Sequence, residues 1–149
     1  MIGQTLEPAL RGLLRYFLGL TFVATGIGKL LDNRGFSEVI ATYQLGIPEF
    51  LLLPLALAFS LTELYIGLNL VRGRYLTQSA LATLYFHIGY AALGTITMLR
   101  GIALTNCGCF GVFLARPLRV VSVVEDLVLA AVSISAWWLL RRVKSDQDR

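Results

Sequence analysis

Cys107 and Cys109 are the only cysteines in the 149-residue chain, and a single glycine separates them in the run Cys107-Gly108-Cys109-Phe110-Gly111. Thiols at this spacing can exchange with disulfides, form a passive bond, hold a soft ion such as Cu(I), or remain inert. A Cys-x-Cys disulfide closes nearly the smallest loop that covalent geometry permits. Because the stabilisation from a disulfide grows with loop length, such a bond adds little to the fold, and reactivity is the stronger reading. Gly108 leaves the backbone free to bring the sulfurs together, and Arg100, Arg116 and Arg119 are near enough in sequence to favour thiolate. A strained, exposed disulfide is also a better oxidant than a structural one. No metal site is assigned: the methionines are only Met1 and Met98, and no second Cys-His cluster completes a ligand set.

A second group of ionisable residues falls within long apolar runs. Glu63 shares a helix face with Ser60 and Gly67, and His87 with Tyr90, Ala91 and Gly94. Glu125 and Asp126 lie about a turn and a half into the last apolar run, towards the cysteine end, and Lys29 closes the first run at that same end. Charges at membrane depth are costly and turn into a bundle interior. Glu63 and His87 therefore read either as a polar contact that fixes helix packing or as a proton route or quinone grip. An imidazole titrates near neutral pH, and a desolvated carboxyl rises towards it.

The elements that position these residues follow from composition. With 56% hydrophobic and 15% charged residues and a mean hydropathy of +0.71, the chain is too apolar for a soluble domain of this length. Four runs, about residues 12–31, 51–71, 77–98 and 118–140, match the roughly 20 helical residues that cross a hydrocarbon core. They lack the period-two alternation of barrel strands, so the expected fold is all-α, a four-helix membrane bundle. One domain covering residues 1–149 is expected, because the polar stretch from 32 to 49 is too short for a core of its own. The first run is too long for a cleaved leader and reads as a retained signal anchor.

Lysine and arginine set the expected orientation. Eight flank one side (Arg11, Arg15, Arg72, Arg74, Arg141, Arg142, Lys144, Arg149) and five the other (Lys29, Arg34, Arg100, Arg116, Arg119). The positive-inside bias places both termini in the cytoplasm and the cysteine loop outside, on the oxidising periplasmic face of a bacterial inner membrane. The net charge of +4 suits anionic lipid headgroups and calls for no nucleic acid. Phe36, Val39, Ile40 and Tyr43 form an i, i+3, i+4, i+7 stripe ending at Gly46-Ile47-Pro48, which predicts a short interfacial helix that either anchors in headgroups or lids the cysteine loop. Gly19, Gly26, Gly89 and Gly94 are expected at close helix contacts. Residues Lys144 to Arg149 read as a solvated tail.

The motifs together resemble a known family. Cys107-Gly108-Cys109-Phe110-Gly111 after a third span, Gly26-Ile27-Gly28-Lys29-Leu30 closing the first, Tyr43-Gln44-Leu45 before the second, and Glu63 with Gly67-Leu68 within it are similar to the MauE branch of the DoxX-like membrane proteins. The resemblance covers nearly the whole chain, and the C-x-C-F-G loop is its most specific part. It implies a four-span inner-membrane protein associated with methylamine utilisation and with maturation of the disulfide-rich small subunit of methylamine dehydrogenase. It also implies a thiol-disulfide role for Cys107 and Cys109, supported by Gly108, Phe110 and Gly111, with Lys29, Tyr43 and Glu63 as motif positions. The expected partner is a periplasmic thiol-containing protein or a thioredoxin-like protein, and a quinone near Glu63 and His87 is an alternative oxidant. Two readings from other classes compete: a non-catalytic assembly scaffold and, last, a small carrier, which lacks the repeats and broken helices of transporters.

Overall fold

The structure, a computed structural model, describes residues 2–113 and 115–147, with side chains described for 7–113 and 115–141. Five helices follow in order: α1 (Ile2–Leu31), α2 (Asn33–Thr42), α3 (Glu49–Arg72), α4 (Leu76–Leu99) and α5 (Val120–Gln147). Four of them, all but α2, contain stretches long and apolar enough to cross a membrane, and no strand occurs among the described residues. The all-α membrane bundle expected from the hydropathy is therefore the fold. Its boundaries differ at both ends of the chain. Helix α1 begins at Ile2 rather than near residue 12, and α5 runs on through Gln147. The stretch from Lys144 thus continues a helix rather than forming a loose tail, with Asp148 and Arg149 outside the described residues. Arg141, Arg142, Lys144 and Gln147, all good helix formers, extend the last span by simple propagation.

The helix stops have local causes. Asp32 caps α2, its Oδ1 accepting from the Gly35 N–H at 2.8 Å. Gly73 ends α3 in the left-handed conformation that glycine adopts without strain, at φ 76°, and Arg74 N–H closes onto the Asn69 carbonyl at 2.8 Å. Gly101, at φ 72°, marks the turn out of α4.

Outer faces are apolar: Leu13, Leu20, Leu61, Tyr65, Ile88, Val124 and Val128 project outward, while Thr25, Lys29, Ser60, Glu63, Thr83, His87, Thr97 and Ser133 are buried. That inversion of the soluble pattern is what a hydrocarbon solvent selects. The buried hydroxyls of Ser60, Thr83, Thr97 and Ser133 each donate to a carbonyl one turn back, at 2.7 to 2.8 Å. Such back-bonding leaves none of them unpaired.

Two tightly packed helix pairs make up the bundle, α1 with α3 and α4 with α5. Apolar cohesion between helices is weak in lipid, and small residues that admit a neighbouring backbone replace it. A Cβ on Gly26 would lie 2.8 Å from the Leu64 amide nitrogen, and one on Gly67 would lie 2.6 Å from that of Val23. Gly19 meets Gly67 at the same crossing. Gly94 packs on Leu118 and Val123, but Gly89 has open space beside it and makes no close helix contact. It sits on an outward-facing part of α4.

Candidate functional site

The α1–α3 crossing sets the first part of the site. Gly26 and Lys29 lie three residues apart and so share one face of α1, and Leu64, against which Gly26 packs, adjoins Glu63. The close backbones bring Lys29 Nζ within 2.6 Å of Glu63 Oε1, with the lysine fully buried and the glutamate 1% exposed. Lys29 also donates to the Tyr90 hydroxyl at 3.1 Å, and that hydroxyl donates to the same Glu63 oxygen. The ammonium lies 5.1 Å from the Phe36 ring centroid and 5.0 Å from that of Tyr90. Its positive charge therefore faces two π surfaces and one carboxylate. The triad joins α1, α3 and α4, and Phe36 brings in α2. Lys29 thus belongs to the bundle interior and not to the flanking charges.

The cysteine loop lies over this triad. It doubles back, with Cys107 N–H on the Arg116 carbonyl at 2.8 Å and Leu118 N–H on that of Leu104 at 3.1 Å. Asn106 Oδ1 accepts from Gly108 N–H at 2.9 Å, an Asx turn that fixes the bend between the thiols. Gly108 and Gly111 hold φ of 72° and 77°. A Cβ on Gly111 would sit 2.9 Å from the Gly28 carbonyl carbon, so the loop rests directly on the end of α1. These contacts explain why glycines recur in both the Gly26-Ile27-Gly28-Lys29 and Cys107-to-Gly111 runs.

Helix α2 lids the loop. Phe36, Val39 and Tyr43 are buried with Ala56 and Leu104, and Phe36 and Val39 press on Gly108. Tyr43 donates its hydroxyl to the Cys107 carbonyl at 2.6 Å, and burial raises its pKa beyond the ordinary phenol range, which keeps it a donor. Arg100 extends this brace, its guanidinium donating to the carbonyls of Tyr43 and Gln44, both at 2.9 Å. Arg100 is thus committed to α2 rather than to the thiols. Arg116 bonds both Glu125 oxygens at 2.8 Å on the exposed rim.

Both cysteines are free thiols, Cys107 buried and Cys109 half-buried. A hydrogen bond to the charged form of a group favours that form. Donated by the Cys109 thiol, such a bond favours thiolate at Cys107 and, with Arg116 nearby, outweighs burial, pulling its pKa down to about 6. The same bond, together with burial, pushes Cys109 up. The pair is asymmetric: Cys107 is shifted towards thiolate and Cys109 towards thiol.

Glu63 and His87 do not pair with each other. His87 lies across from α5, its Nδ1 3.8 Å from Asp126 Oδ1, while Phe22 meets its ring edge-on at 5.4 Å. What connects them is a cavity of about 50 Å³ at the seam of the two helix pairs, lined by Glu63, His87, Tyr90, Asp126 and both cysteines, among others. A second, apolar cavity of about 100 Å³ flanks Cys107 on the α2 side, between Phe36, Ile40, Tyr43 and Leu93. Both are smaller than the ~150 Å³ that encloses a benzene ring, so neither as it stands encloses a quinone ring. No cluster of three or more potential metal ligands occurs among the described residues.

Tyr90, Arg100 and Asn106 escape a reading of the sequence. Tyr90 stands on the His87 face at i+3, which is the one available signal; Arg100 and Asn106 act through backbone carbonyls and a turn that no periodicity marks.

A helical membrane bundle with a braced thiol pair at one end is the class these features define. A family model described as methylamine utilisation protein MauE matches residues 7–140, and the chain belongs to that family as a multi-pass membrane protein. It is 29% identical over 135 residues to the methylamine utilization protein MauE of Paracoccus denitrificans, covering 91% of this chain and 72% of that one. The MauE of Methylorubrum extorquens is 28% identical over 134 residues, with 90% and 72% covered. No solved structure matches.

Proposed function

We propose that this protein is a membrane thiol-disulfide exchange protein that supports disulfide formation in a periplasmic partner enzyme, with Cys107 and Cys109 as the exchanging pair. The observation that carries this reading is the asymmetric thiol pair on a loop held by α1, α2 and its own returning segment.

In the forward direction, a substrate thiolate attacks one sulfur of the Cys107–Cys109 disulfide, and the other cysteine leaves as thiolate. A second substrate thiolate then resolves the mixed disulfide, so the substrate loses two electrons and the pair becomes a dithiol. Reoxidation by the disulfide of a thioredoxin-like partner returns the pair to its starting state. The chain has no further cysteine to do this internally. The relatives' names point to methylamine utilisation, and the family resemblance makes the disulfide-rich small subunit of methylamine dehydrogenase the foremost candidate substrate. The charge distribution supports a loop on the periplasmic side of the inner membrane. With Lys29 buried in the bundle, its side retains four flanking cations against eight opposite, and the excess marks the cytoplasmic face.

The test is oxidation of a dithiol peptide by membranes carrying the protein. Cys107→Ser and Cys109→Ser should each abolish it, whereas wild-type rates in both variants contradict the reading and leave an assembly scaffold.

A further inference from the structure

The buried side of the cavity beneath the cysteines contains a titratable pair that thiol exchange as written does not use. His87 is the chain's only histidine, and its side chain is 6% exposed. Neither ring nitrogen has a hydrogen-bond partner among the described residues. A buried polar group without a partner calls for a functional or solvent explanation. Asp126 Oδ1 stands 3.8 Å from Nδ1, and the Asp126 side chain is 11% exposed. That separation is beyond hydrogen-bond length but within ion-pair range. Both residues line the cavity that also touches Cys107 and Cys109, a space of about 50 Å³. One water needs about 15 Å³ of such volume. That volume has room for about three waters.

We propose that His87, oriented by Asp126, holds and returns the proton of the Cys109 thiol during exchange; this rests on the thiol-exchange reading above. In reoxidation, the Cys107 thiolate attacks a partner's disulfide, forming a mixed disulfide and expelling one partner thiolate. The Cys109 thiol then gives its proton to His87, its sulfur attacks Cys107, and the second partner thiolate leaves. Two electrons pass from the cysteine pair to the partner's disulfide. In the forward direction the imidazolium returns the proton to Cys109 as it leaves Cys107. Asp126 stabilises the imidazolium and is a positioning residue.

The other charged or titratable groups around the cavity are accounted for. From α1 Lys29 and from α4 Tyr90 are bound to Glu63 of α3, and from α5 Glu125 is bound to Arg116 of the loop at the rim. Glu63 holds its cation and hydroxyl through Oε1 alone, and its Oε2 is unbonded among the described residues. His87 is the residue at this cavity with both of its polar side-chain atoms unbonded.

The test uses the full chain in lipid nanodiscs, following oxidation of the reduced pair by oxidised glutathione with acid quench and mass-tagged alkylation from pH 5 to 9. Resolution of the Cys107–glutathione mixed disulfide should slow about a hundredfold at pH 7 in His87→Gln, in line with the loss of a general base. Its rate should then climb with hydroxide across that range. Formation of the mixed disulfide should change less than twofold. Asp126→Asn, nearly isosteric, should show the same split more weakly and guards against misfolding of the histidine variant. Resolution within twofold of wild type at every pH in both variants overturns the proton assignment while exchange stands. A wild-type pair that never exchanges overturns the proposed function and this inference with it.

Discussion

At the residue scale the deciding interactions are the Lys29–Glu63–Tyr90 triad and the thiol pair above it. A buried ion pair gains little over well-packed apolar groups, but removing one partner leaves an uncompensated charge. Lys29→Met should therefore destabilise the protein by about 3–5 kcal/mol, whereas Lys29→Met with Glu63→Leu should recover most of that loss. Thermal unfolding in detergent, compared across the single and double variants, checks it. The cysteine asymmetry gives a pH prediction of definite sign. Alkylation of Cys107 requires its thiolate, so the rate should hold above pH 6 and fall as pH drops through about 6. In Cys109→Ala the hydrogen bond is gone, and the midpoint should move up towards the ordinary thiol value of about 8.5. Of these residues the sequence discloses types and approximate depth. Charge in an apolar run marks Glu63 and His87, but the choice of partner, Lys29 and not His87 for Glu63, depends on a helix crossing that spacing along one chain cannot reveal.

Elements carry the next level. Helix α2 and the end of α1 hold the cysteine loop from two sides, through the Tyr43 hydroxyl and the Gly28–Gly111 contact. Tyr43→Phe strands the Cys107 carbonyl and should cost about 1–3 kcal/mol, with faster amide hydrogen exchange confined to the loop. Gly111→Ala should do more than Gly46→Ala. Both glycines have positive φ, yet a Cβ at Gly111 meets the Gly28 backbone while one at Gly46 meets open space. Relative thermal stability of the two variants tests that ordering. The apolar stripe of Phe36, Val39, Ile40 and Tyr43 shows in the sequence as an amphipathic helix, and its residues are those that pack inward. Its direction was undecided at that level because a stripe of this kind serves a lipid surface and a protein surface equally well. The structure adds Gly108, the bare backbone that α2 covers.

For the whole molecule, four apolar runs gave the bundle directly, since lipid admits only helices or closed barrels. Pairing of α1 with α3 and α4 with α5 was less legible, because no hydrophobic stripe directs helix contacts in hydrocarbon. Glycines do: of Gly19, Gly26, Gly89 and Gly94, all but Gly89 meet a neighbouring segment closely, and Gly67 joins the first two at the α1–α3 crossing. The seam between the two pairs holds the small cavity, and the lidded thiol loop borders it at one end. On the proposed function, sulfur chemistry takes place at that end of the bundle and the proton it moves is held inside. The most direct measurement is a redox titration of Cys107 and Cys109 in intact cells and in permeabilised membranes, read by an impermeant mass-tagged maleimide across a thiol-disulfide buffer series. The expected result is a reversible two-electron transition at a potential above about −300 mV, with the reduced thiols labelled without permeabilisation. Thiols that stay reduced, or a bond that stays closed, across the whole series would contradict the exchange function, and labelling only after permeabilisation would reverse the orientation.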